Sequence, residues 1–148
     1  MQMKFYSKFD KYSALFWFGM ISFLLLIMYL MLTDNTNEFV SQVISFGIVL
    51  PIILLFAWVI SSTYYEVKSD QNEFKYRSGP IRGKISIKDI KKVKLNTRVW
   101  SGLKLGLSFK KGMTLYYNKY DEIYITPKQS DDLCRMLKEL NSEIKIIS

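Results

Sequence analysis

The chain has 148 residues, a formal net charge of +8, one cysteine and no histidine. That length holds one or two folded units, and the missing histidines exclude Ser-His and Cys-His nucleophile pairs, while a lone Cys134 excludes an internal disulfide and the usual structural zinc sites. Apolar residues make up an ordinary 49% of the chain, but they are spread unevenly.

Residues 1–12 are a leader, MQMKFYSKFDKY, with Lys4, Lys8 and Lys11 against Asp10. Phe5, Tyr6, Phe9 and Tyr12, followed by Phe16 and Trp17, suit a headgroup layer, where rings and snorkelling ammonium groups share the interface; a short interfacial helix is the related alternative. Ser13–Thr33 then runs 21 residues without a charge, and Phe39–Ser62 runs 24. About 20 apolar residues cross a hydrocarbon core as a helix, and unpaired backbone is not tolerated there. The two runs therefore predict a transmembrane hairpin, 13–33 and 39–62, with Asp34–Glu38 as the link in the headgroups. A pair of buried helices in a soluble core is the alternative, and it is disfavoured because core helices seldom run so long without a polar face. A cleaved signal peptide is set aside, since the first run is too long and no small-x-small site follows it.

Lysines flank the hairpin on its outer sides and are absent from the link, so the positive-inside rule places both termini in the cytoplasm. Gly19, Ser22 and Gly47 are small enough for close helix contact. Pro51 has no N–H to give to Gly47, which predicts a kink. Neither run contains Asp, Glu, Lys, Arg or His, as expected of an anchor rather than a transport path.

From Thr63 the pattern changes to that of a folded domain, 63–148. Residues 63–67 read as a strand leaving the second helix. Glu73–Arg77 alternates with Phe74 and Tyr76 on one face, Lys84–Ile87 alternates again, and Val93 and Leu95 alternate with Lys92, Lys94 and Asn96. The glycine-rich stretch 98–112 reads as a loop with one short strand near Leu105–Phe109. Met113–Tyr117 and Glu122–Thr126 form a hairpin about Asn118–Asp121. A last helix opens with Thr126 as N-cap, Pro127 at its first position and Gln129 three residues after the cap, and Leu133, Met136, Leu137 and Leu140 form its apolar stripe. The pattern is an α+β domain, an antiparallel sheet of about six to seven strands with a C-terminal helix on one face or end.

These segments resemble the small bacterial PH-like domain family. The resemblance rests on Tyr65-Glu66-Val67 with Phe74–Gly79, on Arg82–Ile90, on Leu105–Ser108, and on Ile123–Lys128 leading into the final helix. It implies a PH-like fold behind two N-terminal membrane helices, in a bacterial cell membrane. One role in that family is immunity to bacteriocins such as sublancin, and the chain is similar in size and layout to those immunity proteins. The resemblance therefore implies a bacteriocin or a membrane protein as partner.

No catalytic residue, metal ligand or cofactor is expected. The carboxylate pairs Asp121-Glu122 and Asp131-Asp132 fall in a turn and a helix start, where solvated acids are ordinary. Glycines at 79–83 and 102–112 lack the Gly-Lys-Ser/Thr and following helix of a phosphate loop. The remaining signal is charge: Lys75–Lys119 holds 13 basic residues and one acid. Lys92, Lys94, Arg98, Trp100, Lys104, Lys110 and Lys111 are the candidate contacts to a lipid bilayer or to anionic headgroups, with Leu103 and Leu105 beside them, since each cation held near an anionic leaflet contributes about 1 kcal/mol. The positive-inside rule alone selects the same bias. Nucleic acid is not an expected partner, because the domain is tethered and lacks a reading helix. An accessory subunit of a transporter or membrane enzyme is the competing expectation, with Gly19, Ser22 and Gly47 as its docking surface.

Overall fold

The computed structural model describes residues 2–33, 38–98 and 103–147. Its first element is a strand, β1 (Gln2–Tyr6). There follow α1 (Lys11–Thr33), α2 (Glu38–Ile44), a π-helical turn (Ser45–Val49) and α3 (Leu50–Ser62). Strand β2 (Tyr64–Lys68) then pairs antiparallel with β1, from Gln2↔Lys68 to Tyr6↔Tyr64. The helical hairpin therefore grows out between two neighbouring strands of one sheet. This corrects the expectation for the leader: Phe5 is not a headgroup ring but a core side chain, 2% exposed. Lys4-Phe5-Tyr6 alternates with period two, and Phe5 takes the inward side once β2 is there to pair with.

The two helical runs are long and apolar enough to cross a membrane. They are not core helices of this fold. No residue of the most apolar stretch of α1 is buried, and only 11% of that in the second run is. Leu25, Leu26, Tyr29 and Leu30 all face outward. The irregularity expected at Pro51 is the π turn. The Leu50 N–H reaches back five residues to the Ser45 carbonyl, widening the helix just before a residue that cannot donate. The small residues that meet α1 are not the expected ones. Ser41, Ser45 and Val49, spaced four apart, are the buried face of the second run, and the ring of Trp17 meets Phe56 edge-on at 5.7 Å. Gly19, Ser22, Gly47 and Pro51 are exposed, and a methyl group at either glycine would meet nothing within 4 Å.

The head has two sheets rather than one. The first has the order β1-β2-β3-β4, all antiparallel, with β3 (Glu73–Ser78) and β4 (Ile81–Ser86). The second contains β5 (Ile90–Thr97), β6 (Leu103–Lys104), β7 (Gly112–Tyr117), β8 (Asp121–Ile125) and β9 (Lys145–Ile147) in the order β6-β8-β7-β5-β9. Its centre is antiparallel; β6 on β8 and β9 on β5 are parallel. Between the sheets lie Tyr65, Val67, Phe74, Ile85, Ile87, Val93, Met113, Leu115, Ile123 and Ile125. The helix α4 (Ser130–Leu140) closes this core with Leu133 and Leu137, both fully buried, and with Met136 and Leu140 packed beside them.

Two local expectations are corrected by the same contact. The segment after β1 continues as an isolated bridge, Ser7↔Pro127. Ser7 Oγ and Thr126 Oγ1 lie 3.0 Å apart, the Lys8 N–H donates to the Thr126 carbonyl at 2.5 Å, and the Lys128 N–H donates to the Tyr6 carbonyl at 3.0 Å. Thr126 is thus spent on the leader, not on capping, and α4 begins at Ser130 after Gln129, whose side chain makes no cap bond. No strand forms at Leu105–Phe109; just before that stretch lies the two-residue β6. Beyond it, the Leu107 N–H donates to Ser7 Oγ at 3.1 Å and the Phe109 N–H to Ser13 Oγ at 3.0 Å. Hydroxyls of the leader and α1 satisfy the donors that a neighbouring strand would otherwise take.

Candidate membrane interface of the head

The place where helices and head meet is built from short polar side chains. Asp10 immediately precedes α1, its carbonyl accepts the Ala14 N–H at 2.8 Å, and its carboxylate accepts the Ser13 hydroxyl at 2.7 Å. Ser108, from the loop after β6, donates to the same carboxylate oxygen. Burial pushes the Asp10 carboxyl up, but the hydroxyl bonds from Ser108 and Ser13 and nearby backbone N–H groups outweigh it and hold the group at about 2. A carboxylate at a helix N-terminus also faces the positive end of the dipole. Asp10 was read from sequence only as a counter-charge to three lysines. The signal that reveals its role is Asp10-x-x-Ser13 at the start of an apolar run.

The other helix end is clasped by the β3–β4 turn. Thr63 Oγ1 lies 2.6 Å from the Val59 carbonyl and 2.9 Å from Ser78 Oγ, and the Gly79 N–H donates to Ser62 Oγ at 3.0 Å. Gly79 has φ +56°, and a Cβ there would come within 2.6 Å of Val59 Cγ2. A side chain at that position is strained twice over, by the backbone and by α3.

The candidate cations divide. Arg98, Lys104, Lys110 and Lys111 gather at the end of the second sheet from which α1 leaves. Their common neighbour is Tyr124: its hydroxyl donates to the Lys110 carbonyl at 3.0 Å, and it pairs in register with Lys104. Burial raises the Tyr124 phenol, while the Gly112 backbone and the Arg98 charge pull it down. Arg98 and Lys111 flank the Thr97↔Gly112 pair at the same strand ends. Phe109, next to Lys110, is 53% exposed and meets Phe16 of α1 edge-on at 5.1 Å. Lys92 and Lys94 are not part of this group. They lie five and three residues back from Thr97 along β5, about 17 and 10 Å away at the rise of a strand, and the Lys92 ammonium sits 5.6 Å from the centre of the Tyr116 ring. Trp100 lies outside the described residues. Leu105, 2% exposed, is core and has no access to an interface, and Leu103 packs partly buried against the same core.

Among the described residues, no group of three His, Cys, Asp or Glu side chains is placed to hold a metal. The acidic pairs have structural partners: Asp121 accepts from Asn118 Nδ2 at 2.8 Å in the β7–β8 turn, and Asp132 pairs with Arg135 at 2.8 Å on α4. Cys134 is buried, and burial with the nearby Asp131 carboxylate pushes its thiol up to about 11, so it is a packing group rather than a nucleophile.

Two packed sheets closed by a C-terminal helix define a PH-like head, carried here on two apolar helices. A family model described as Bacterial PH domain matches residues 63–141, more than half of the chain, and the chain belongs to that family. No curated protein and no solved structure matches it. The match begins after the hairpin, so β1, which completes the first sheet, lies outside it.

Proposed function

We propose that this protein is a non-enzymatic, multi-pass membrane protein whose PH-like head is an interaction module held at the cytoplasmic face of a bacterial cell membrane, where it gives its producer immunity to a bacteriocin. The observation that carries the anchored reading is the exit of two outward-facing apolar helices between paired strands β1 and β2. That pairing requires both helix ends to lie on one side, and the lysines around them favour the inner side. Arg98, Lys104, Lys110 and Lys111 around Tyr124 supply cations where anionic headgroups lie. PH domains are in general interaction modules, and the packed thiol and partnered acids of this chain accord with that. Immunity is supported by layout, two apolar helices ahead of a bacterial PH domain. Expression in a bacteriocin-sensitive strain tests it: survival at peptide doses that kill the parent is expected, and unchanged killing across a peptide panel contradicts it.

A second reading has its own observation. Gly19, Ser22, Gly47 and Pro51 are turned away from the hairpin's own contact and stay open. This is the surface by which an accessory subunit would dock on a transporter or membrane enzyme. Leucine at positions 19 and 47 then abolishes a complex isolated in mild detergent; a complex that survives those changes contradicts this reading.

A further inference from the structure

The outer face of the first sheet carries two rows of directly opposed like charges. In one row Lys75 faces Lys84, and in the next Arg77 faces Arg82. Like charges directly opposite each other destabilise a strand pair unless something neutralises them. The lysine row is neutralised: Glu73 binds Lys84 at 2.8 Å and Lys75 at 3.3 Å. The arginine row has no carboxylate among the described residues. Glu66, the nearest acid on this face, is bound to the amide of Gln2. Arg77 Nε is sealed from solvent and has no hydrogen-bond acceptor, a donor left with a standing cost.

These groups share a groove of about 340 Å³ whose lining includes Tyr64, Lys75, Arg77, Arg82 and Lys84, together with Glu66, whose carboxylate is engaged by Gln2. Its position is set by the register: Tyr64 faces Arg77, and Tyr6 faces Tyr64. Only Thr63 separates Tyr64 from α3, and Ser78 and Gly79, next after Arg77, hold the last turn of that helix. The groove therefore opens beside the point where a membrane-crossing α3 would leave the bilayer. Paired guanidinium groups bind phosphate oxygens through parallel N–H bonds, a geometry that ammonium groups lack.

We propose that Arg77 and Arg82, with Tyr64 at one side, bind the phosphate of an anionic phospholipid headgroup. This site is separate from the Tyr124 cluster on the second sheet, and it rests on the membrane-anchored reading. The phosphate takes the place of the carboxylate that the arginine row lacks.

The full chain, purified in a neutral detergent and freed of lipid, tests this by its unfolding temperature during titration with phosphatidylglycerol, phosphatidylcholine or inorganic phosphate at matched ionic strength. A saturable rise with phosphatidylglycerol alone is expected. Arg82→Gln, on an exposed edge-strand residue, is expected to raise the half-saturating lipid concentration roughly tenfold, with Arg82→Lys intermediate and the charge-matched Lys88→Gln like the parent. An equal rise with inorganic phosphate assigns the groove to free anions and overturns the lipid assignment. Equal responses in the parent and Arg82→Gln overturn the site itself. Either result leaves the anchored reading standing, because that reading fails only if the chain does not partition into membranes.

Discussion

The head and the hairpin use the same side chains in opposite ways. In the head, Leu115, Ile123, Leu133 and Leu137 are fully buried; in the hairpin, Leu26, Leu30, Ile48 and Leu54 are each more than half exposed. Polar groups follow the inverse rule. The head puts its lysines outside, while the hairpin packs Ser41 and Ser45 inside, against α1. The contrast is the one expected of a chain shaped by two solvents. Apolar burial drives the head together in water. Between helices in a hydrocarbon environment that drive vanishes, and close approach of small residues takes its place. The collar of Ser7, Asp10, Ser13 and Ser108 stands where the two regimes meet, and there hydrogen bonds do the joining.

The strongest break in this contrast lies in the leader, which belongs to the head by packing although it precedes the hairpin in sequence. Phe5→Ala is expected to destabilise the head by about 3–5 kcal/mol, as for other buried aromatic truncations, measured by thermal unfolding in detergent. A headgroup-layer phenylalanine would give almost no change. Next comes a matched pair. Leu137→Ala is expected to cost about 2–5 kcal/mol, whereas Leu26→Ala leaves head unfolding within about 0.5 kcal/mol of the parent.

Legibility follows the same division. The hairpin was plain because an uncharged run of 21 residues has few other uses. Phe74, Ile85 and Val93 were readable because each alternates with charged or polar neighbours, and the α4 stripe was readable from its spacing. What stayed hidden depends on partners distant in sequence. Gln2–Tyr6 is a strand only because β2, some sixty residues later, lies beside it. Thr126 carries every local mark of a cap, yet Ser7 claims it. The cations of 92–111 read as one face, but strand direction puts Lys92 and Lys94 well away from Arg98 and Lys111. At Lys145–Ile147 three residues are too few to show a period, and β5 makes them a strand.

Smaller effects sharpen the boundary between the two regimes. Asp10→Ala is expected to cost about 1–3 kcal/mol through the unpaired hydroxyls it leaves behind. Because the folded carboxyl sits at about 2 against an ordinary 3.8, its contribution is fully present above pH 4 and is lost as pH falls towards 2. Acid unfolding of the parent, but not of Asp10→Ala, should therefore steepen across that window. Gly79→Ala is expected to cost about 1 kcal/mol or more, since its φ is +56°, and to loosen the clasp on α3, read as faster proteolysis between α3 and β2. The smallest effect is chemical: Cys134, with its thiol at about 11, should resist a maleimide at pH 8 in the folded chain and react promptly once the head is unfolded.

The central claim is that two apolar spans hold this head on the inner side of a membrane. It is tested most directly by protease protection in sealed cells and in inverted vesicles prepared from them, followed by an alkaline wash. The head should survive protease added to cells, be digested in inverted vesicles, and stay with the membrane through the wash. Digestion from outside the cell, or release of the intact chain by alkali, would contradict it.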